Sequence, residues 1–371
     1  MNKQSLRLDY VGDIALGPAL RATLAERGAA FITAPWRDAF EGADLAIANH
    51  EYTYQPPVPS PAARPSRLIA APSVADLWPD LPFDVATLAN NHIGDAGPPG
   101  ALFARELLEA RGISCIGAGR DLAHALTPLI SEVKGWRIAH IGACEFPFFY
   151  ADAQTPGAAP MTMDALTGAI AAVRSAVDLV VIVLHSDVEF VRYPSPFRRD
   201  FSRRLIDAGA DLVIQHHPHV LQGVETYNDG LIAYSLGNFL FAVRGSRYLS
   251  EHAGTTDAAI LRVTIDPAGQ GGRSIRHEWV PFVLDDFGRP CEPDAAERSR
   301  ILGEVNELTA TLHDEAALRR CWRATARQQL TYNLRHTYYA CHHEGLRQGI
   351  RFFTNMYGKR ETHHWLRAFF A

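Results

Sequence analysis

The chain has 371 residues, which at about 150 residues per domain is room for one large domain with an appendage, or for two domains. Hydrophobic residues make up 47% of it and charged residues 21%, a composition that sets aside disordered and fibrous proteins. The formal net charge of -5 gives no global reason to expect nucleic acid or an anionic membrane as a partner, and no apolar run approaches the roughly 20 residues of a membrane span.

From the N-terminus a strand-like run begins almost at once, at residues 6–11, with no room before it for a signal peptide. Further short runs rich in Val, Ile and Leu predict strands at 44–48, 84–88, 114–116, 137–142, 179–184, 212–214, 231–234, 258–265 and 274–283. Between them, helix-period segments fall at 99–111, 163–177 and 197–208; the first opens on Pro99 and closes on Gly112, and the last is closed by Gly209. A proline- and serine-rich stretch at 55–72 reads as an excursion loop. This alternation is the rhythm of a layered α/β domain. Around residues 285–294 the strand signals stop, and from Ala295 the pattern is helical, so domains are expected at 1–290 and 291–371.

The five cysteines, Cys115, Cys144, Cys291, Cys321 and Cys341, are widely spaced and lack a CxxC pair, which argues against a disulfide framework or a zinc ribbon. With no leader and no anchor in view, the expected location is the cytoplasm. The tail from about Arg319 is basic and aromatic, running through Trp322, Arg323 and Arg327 to Lys359, Arg360, Trp365, Arg367 and Phe369. Such a tail suits a polyanionic partner or a membrane surface; the plainer expectation is amphipathic helices packing their aromatics on the main domain.

Polar side chains able to bind metal stand at the ends of successive strand candidates: Asp13, Glu51, Asn91 with His92, His185, and His217 with His219. Singly each has an ordinary reading, as a turn former, a helix cap or a satisfied histidine. A sheet with parallel strands, however, delivers its strand ends to one crevice, and such coincidences at five strand ends predict a common site. Carboxylate, amide oxygen and imidazole together suit Mn, Fe, Zn or Mg and not soft Cu(I). In a two-metal site a carboxylate bridges the ions, and Glu51 is the best candidate for that place. Asp95, Glu189 and Asn238 are supporting candidates that hold water, orient His92 or cap loops. Asp187 reads as a solvated loop charge before it reads as a ligand. Cys341-His342-His343 and His363-His364 are adjacent pairs expected on an exposed helical face.

In order along the chain stand Gly12-Asp13-Ile14-Ala15-Leu16-Gly17, Asn49-His50-Glu51, Leu88-Ala89-Asn90-Asn91-His92, His185-Ser186-Asp187-Val188-Glu189-Phe190, His216-His217-Pro218-His219 and Tyr234-Ser235-Leu236-Gly237-Asn238-Phe239. From about Leu6 to Phe241 this resembles the CapA family of bacterial capsule (poly-gamma-glutamate) synthesis proteins, a branch of the calcineurin-like metallophosphoesterases. The resemblance implies a four-layer α-β-β-α sandwich with two divalent metal ions (Mn, Fe or Zn) at the strand ends. It makes Asp13 a ligand of the first ion, Glu51 the bridge, Asn91 and His185 ligands of the second, and His217 and His219 the final pair. His92 takes the place of the general acid.

The chain departs in three places from the motifs the resemblance implies, the first of them the phosphoesterase Asp-x-His. Asp-x-His is here Asp13-Ile14-Ala15, so a first-site histidine is missing, and His50 is a candidate to complete that site. Asn-Leu-Glu is Asn49-His50-Glu51, and His-Trp-Gly-x-Glu-Tyr is His185-Ser186-Asp187-Val188-Glu189-Phe190. The function expected from the resemblance is metal-dependent hydrolysis, first of a phosphoester. The alternatives are an enzyme making or breaking amide or gamma-glutamyl bonds, and a non-catalytic accessory of capsule or polymer assembly. The partner expected is accordingly a small-molecule or polyanionic substrate, with no nucleic acid.

Overall fold

Alternation along the first strand, Leu6–Ala15, sets the architecture. Leu6, Leu8 and Tyr10 point one way into an apolar layer that also takes Ile47, Val85 and Ile116 from neighbouring strands and Ile138, Val181 and Ile214 from a second sheet. That layer is the seam between two stacked sheets. The computed structural model describes residues 3–243, 246–269, 272–339, 341–342 and 345–357.

The first sheet runs in the order Pro290–Cys291, Arg273–Leu284, Asp257–Pro267, Leu6–Ala15, Leu45–His50, Val85–Thr87, Ser114–Ile116, with Asn238–Phe241 set beside the end of Leu6–Ala15. Its four N-terminal strands are mutually parallel. The second sheet runs Val224–Tyr227, Gly230–Ala233, Leu212–His216, Leu179–His185, Trp136–Cys144, Leu129–Val133, and its four central strands are also parallel. Helices cover both outer faces. Leu20, Ala101, Ala104 and Leu108, from helices Pro18–Thr33 and Pro98–Glu109, pack on the first sheet. Leu166, Ile170, Phe201 and Leu205, from Met163–Val173 and Pro196–Asp207, pack on the second. The four-layer α-β-β-α order expected from the resemblance is therefore present.

Some elements differ from the sequence expectation. The first strand continues through Asp13 because it changes partners: Leu6 to Val11 pair antiparallel with Asp257–Pro267, and Asp13 to Ala15 pair parallel with Asn238–Phe241. The helix from Met163 stops at Val173, and Arg174–Ala176 tighten into a 3-10 turn. The 55–72 excursion is clasped at its base, where Thr53–Tyr54 pairs with Ile69–Ala70.

After Pro290–Cys291 the described elements are helices, Ala295–His313, Glu315–Tyr339 and Leu346–Tyr357. Ala295–His313 starts on a capping box between Asp294 and Glu297 and buries Ile301, Val305, Leu308 and Leu312. In Glu315–Tyr339, Leu318, Trp322, Ala326 and Leu330 recur every fourth residue and join the outer cluster of the second sheet, as an amphipathic helix should. His343, Lys359, Arg360, His363, His364, Trp365, Arg367 and Phe369 lie outside the described residues. Among the described residues no helix is long and apolar enough to cross a membrane.

Candidate metal centre

Strands of both sheets end on the same side, and the predicted side chains gather there. Asp13 lies on the partner-switching end of the first strand, Glu51 follows Leu45–His50, and Asn91 and His92 lie on the turn after Val85–Thr87. From the second sheet, His185 is the last residue of its strand, and His217 and His219 follow Leu212–His216.

Backbone features fix these positions. A Cβ on Gly12 would lie 2.2 Å from the Gly237 carbonyl oxygen, the same oxygen that accepts the Asp13 N–H at 2.9 Å; only glycine allows that approach. His217 and His219 take positive φ angles of 102° and 57° on either side of Pro218. Left-handed backbone at a non-glycine residue costs on the order of 1–3 kcal/mol and clusters at functional sites.

Two donor groups result, Asp13 with Glu51 and His185, and Glu51 with His217 and His219; within each, the donor atoms lie within 4.8 Å of one another. Glu51 belongs to both. It is fully buried, and neither carboxylate oxygen has a hydrogen-bond partner; the neighbouring His185 and His219 Nε2 atoms stand 3.6 and 3.7 Å from Oε1. A buried carboxylate without donors is costly, and a cation between these groups would relieve it. Asn91 Oδ1 is 3.1 Å from His185 Nε2, so the amide oxygen joins the His185 side of the cluster.

The charges suit the same purpose. Burial lowers His185 well below the ordinary histidine value, helped by His217, and brings His217 itself down to about 4; both rings are therefore neutral, the form that ligates metal. Burial alone would raise Asp13, but His216 and His219 beside it hold the carboxyl well below the usual range. Burial, reinforced by Asp13, pushes Glu51 well up. Burial works against the charge on His219, yet Glu51 and Asp13 raise it to about 10.

The supporting candidates divide. His92 is half-buried and its Nδ1 lies 2.8 Å from Asp95 Oδ2, which leaves Nε2 as the free end of the ring. Asn238 Oδ1 is 2.9 Å from His219 Nδ1 and its amide donates to the Thr255 carbonyl. Glu189 Oε1 stands 3.9 Å from His219 Nε2. His50 takes no part in either donor group: its ring stacks on Tyr52 at 3.9 Å between centroids and its Nε2 meets Tyr54 at 3.1 Å, because the pleat turns it away from Asn49 and Glu51 into the aromatic core. The missing Asp-x-His histidine is thus not replaced by His50. Asp187 is no solvated charge either, since its Oδ2 accepts the Ser195 N–H at 2.7 Å.

Three contributors were not singled out from the sequence. Asn49 donates to Asp13 Oδ1 at 2.7 Å and lies 3.0 Å from His185 Nδ1; its i, i+2 spacing from Glu51 on a strand end was the available signal. His216 Nδ1 is 3.4 Å from Asp13 Oδ1. Glu145 follows Trp136–Cys144, pairs with buried Arg198, and precedes Phe146, whose ring lies 4.8 Å from that of His217.

The class these features define is a two-sheet α/β sandwich with a buried carboxylate and imidazole centre at its strand ends. The model of the family described as bacterial capsule synthesis protein PGA_cap matches residues 7–243, and the chain belongs to that family. It is similar to the PGA biosynthesis protein CapA of Bacillus subtilis, 29% identical over 308 residues covering 81% of this chain and 78% of that one. It is likewise similar to the capsule biosynthesis protein CapA of Bacillus anthracis, 28% identical over 323 residues covering 83% and 74%. Among solved structures it is similar to the calcineurin-like phosphoesterase YfkN from Bacillus subtilis, 12% identical, with a TM-score of 0.43, covering 89% of this chain and 99% of that one.

Proposed function

We propose that the protein is a metal-dependent hydrolase acting on a phosphoester. The observation that carries this reading is Glu51, a buried carboxylate with two unpartnered oxygens shared by two donor groups. In this reading Asp13, Glu51, Asn91, His185, His217 and His219 hold two divalent cations, Mn, Fe or Zn by donor type, in the 1–290 domain, and 291–371 is an extension whose helices Ala295–His313 and Glu315–Tyr339 pack on it. Bound there, the ions supply Lewis acidity and water activation. The chain's own part is to position and to move protons. Asn49 orients Asp13 and His185 together, Asn238 orients His219, and Asp95 orients His92 so that Nε2 can protonate the leaving group.

The test is elemental analysis of protein purified without chelator, beside Glu51→Gln, followed by turnover of 4-nitrophenyl phosphate, bis(4-nitrophenyl) phosphate and gamma-glutamyl-4-nitroanilide. Two ions in the parent, at most one in the variant, and chelator-sensitive ester hydrolysis are expected. Turnover of the anilide alone would move the substrate class to amides. A parent that takes up no metal even when Mn²⁺ and Zn²⁺ are supplied would overturn the hydrolase reading and leave a binding role in capsule or polymer assembly, which the relatives' names allow.

A further inference from the structure

Beside His92 lies a second feature that the metal centre does not use. The turn carrying His92 continues through Gly94 and Asp95 to the helix at Pro98, and the 55–72 excursion lies along it: the Arg64 N–H donates to the Asp95 carbonyl at 2.7 Å, and a Cβ on Gly97 would meet the Ser60 hydroxyl at 2.5 Å. From the other side comes the turn that follows Glu145. Its Phe146 packs against the His185 and His217 rings, and Phe149 touches Gly94 so closely that a Cβ there would fall 2.0 Å from the ring. These segments enclose a cavity of about 250 Å³ lined by Arg64, Gly94, Pro98, Phe148, Phe149 and Thr155, among others.

The cavity has a specific chemistry. The Arg64 guanidinium lies 5.1 Å from the Phe148 ring centre and 4.9 Å from that of Phe149, and Phe148 is 79% exposed. Among the described residues no carboxylate pairs with Arg64, whereas the neighbouring Asp95 carboxylate is committed to His92. Arg64 is itself exposed, and a guanidinium resting on two aromatic faces is steadied by them while its N–H edge stays available. That edge matches a carboxylate or phosphate bidentately.

We propose that this cavity is a substrate subsite in which Arg64 binds a second oxyanion, a carboxylate or phosphate, while Phe148 covers the intervening apolar stem. The substrate class is then a molecule with two anionic groups, one at the metal centre and one beyond the leaving-group side at His92. This deepens the hydrolase reading and rests on it for the place of the reacting group.

The test is isothermal titration calorimetry on the full chain with propane-1,3-diyl bisphosphate against propyl phosphate, and with end-blocked triglutamate against end-blocked triglutamine. Each probe with more than one anionic group is expected to bind about tenfold tighter than its control. Arg64→Ala should abolish that preference, Arg64→Lys should keep part of it, and both should retain the parent's metal content. Preference for the bisphosphate alone assigns phosphate as the second group, and preference for triglutamate alone assigns carboxylate. A preference that survives Arg64→Ala, with only a lowered melting temperature, would show a loop clamp and overturn the proposal, as would the absence of any preference. Arg64-dependent binding without hydrolysis of any ester or of the anilide would sink the hydrolase reading and leave the subsite standing.

Discussion

His140 offers a sharp test of how the two sheets are packed. Along Trp136–Cys144, Trp136 and Ile138 face the seam between the sheets, so by alternation His140 faces it too. It is fully buried, and neither ring nitrogen has a hydrogen-bond partner. Burial brings its pKa down from 6.5 to about 4, so the folded protein binds this proton less readily than the unfolded chain. Stability from this residue is therefore fully present above pH 6.5 and is lost as the pH falls toward 4. At 1.36 kcal/mol per pKa unit, the loss between pH 7 and pH 5 is about 2 kcal/mol. Urea unfolding with chelator present, at both pH values, compares the parent with His140→Leu, a swap of similar volume that also removes two unpaired buried nitrogens. The variant should be no less stable at pH 7 by more than about 1 kcal/mol, and its loss on acidification should be smaller than the parent's by about 2 kcal/mol. Equal losses in the two proteins would refute the reasoning.

Loading with Zn²⁺ or Mn²⁺ at pH 7 should release protons, because Glu51 is pushed up and His219 is raised to about 10 before a cation arrives; calorimetry in buffers of different ionisation enthalpy measures this, and no release would contradict the assigned charges. His92→Ala should lower kcat on an ester substrate by about 10²–10⁴-fold with unchanged metal content, and full turnover would remove the acid assignment. Arg198→Met leaves the Glu145 carboxylate without its guanidinium partner and should cost about 3–5 kcal/mol in chemical denaturation; a neutral effect would mean that Glu145 is satisfied elsewhere.

The layered α/β order was legible because apolar runs at a strand period alternate with capped helical segments. Short partners were not: Leu129–Val133 is half-exposed and joins Trp136–Cys144 through a tight turn at Lys134 and Gly135 with positive φ, a hairpin signal that a search for apolar runs passes over. Helix Pro18–Thr33 was hidden by Gly28, whose φ of 77° breaks it internally. In the site, Asp13, Glu51, Asn91, His185, His217 and His219 stood out because each ends a strand candidate. Sequence order could not show that His50 turns away or that Asn49 lies between Asp13 and His185, because one step along a pleat reverses a side chain. Arg64 lay in a proline-rich excursion with no periodicity to attach it to anything, and only the folded chain sets it beside Phe148.

The candidate donors come from both halves of the sandwich: Asp13, Glu51 and Asn91 from the first sheet, His185, His217 and His219 from the second. A cation held by all of them would act as a rivet through the seam, so its affinity would include the free energy of docking the two sheets. Packing faults far from the strand ends, at Ile138 or Val181 for instance, would then weaken metal retention without touching a ligand, and metal starvation would loosen the whole molecule.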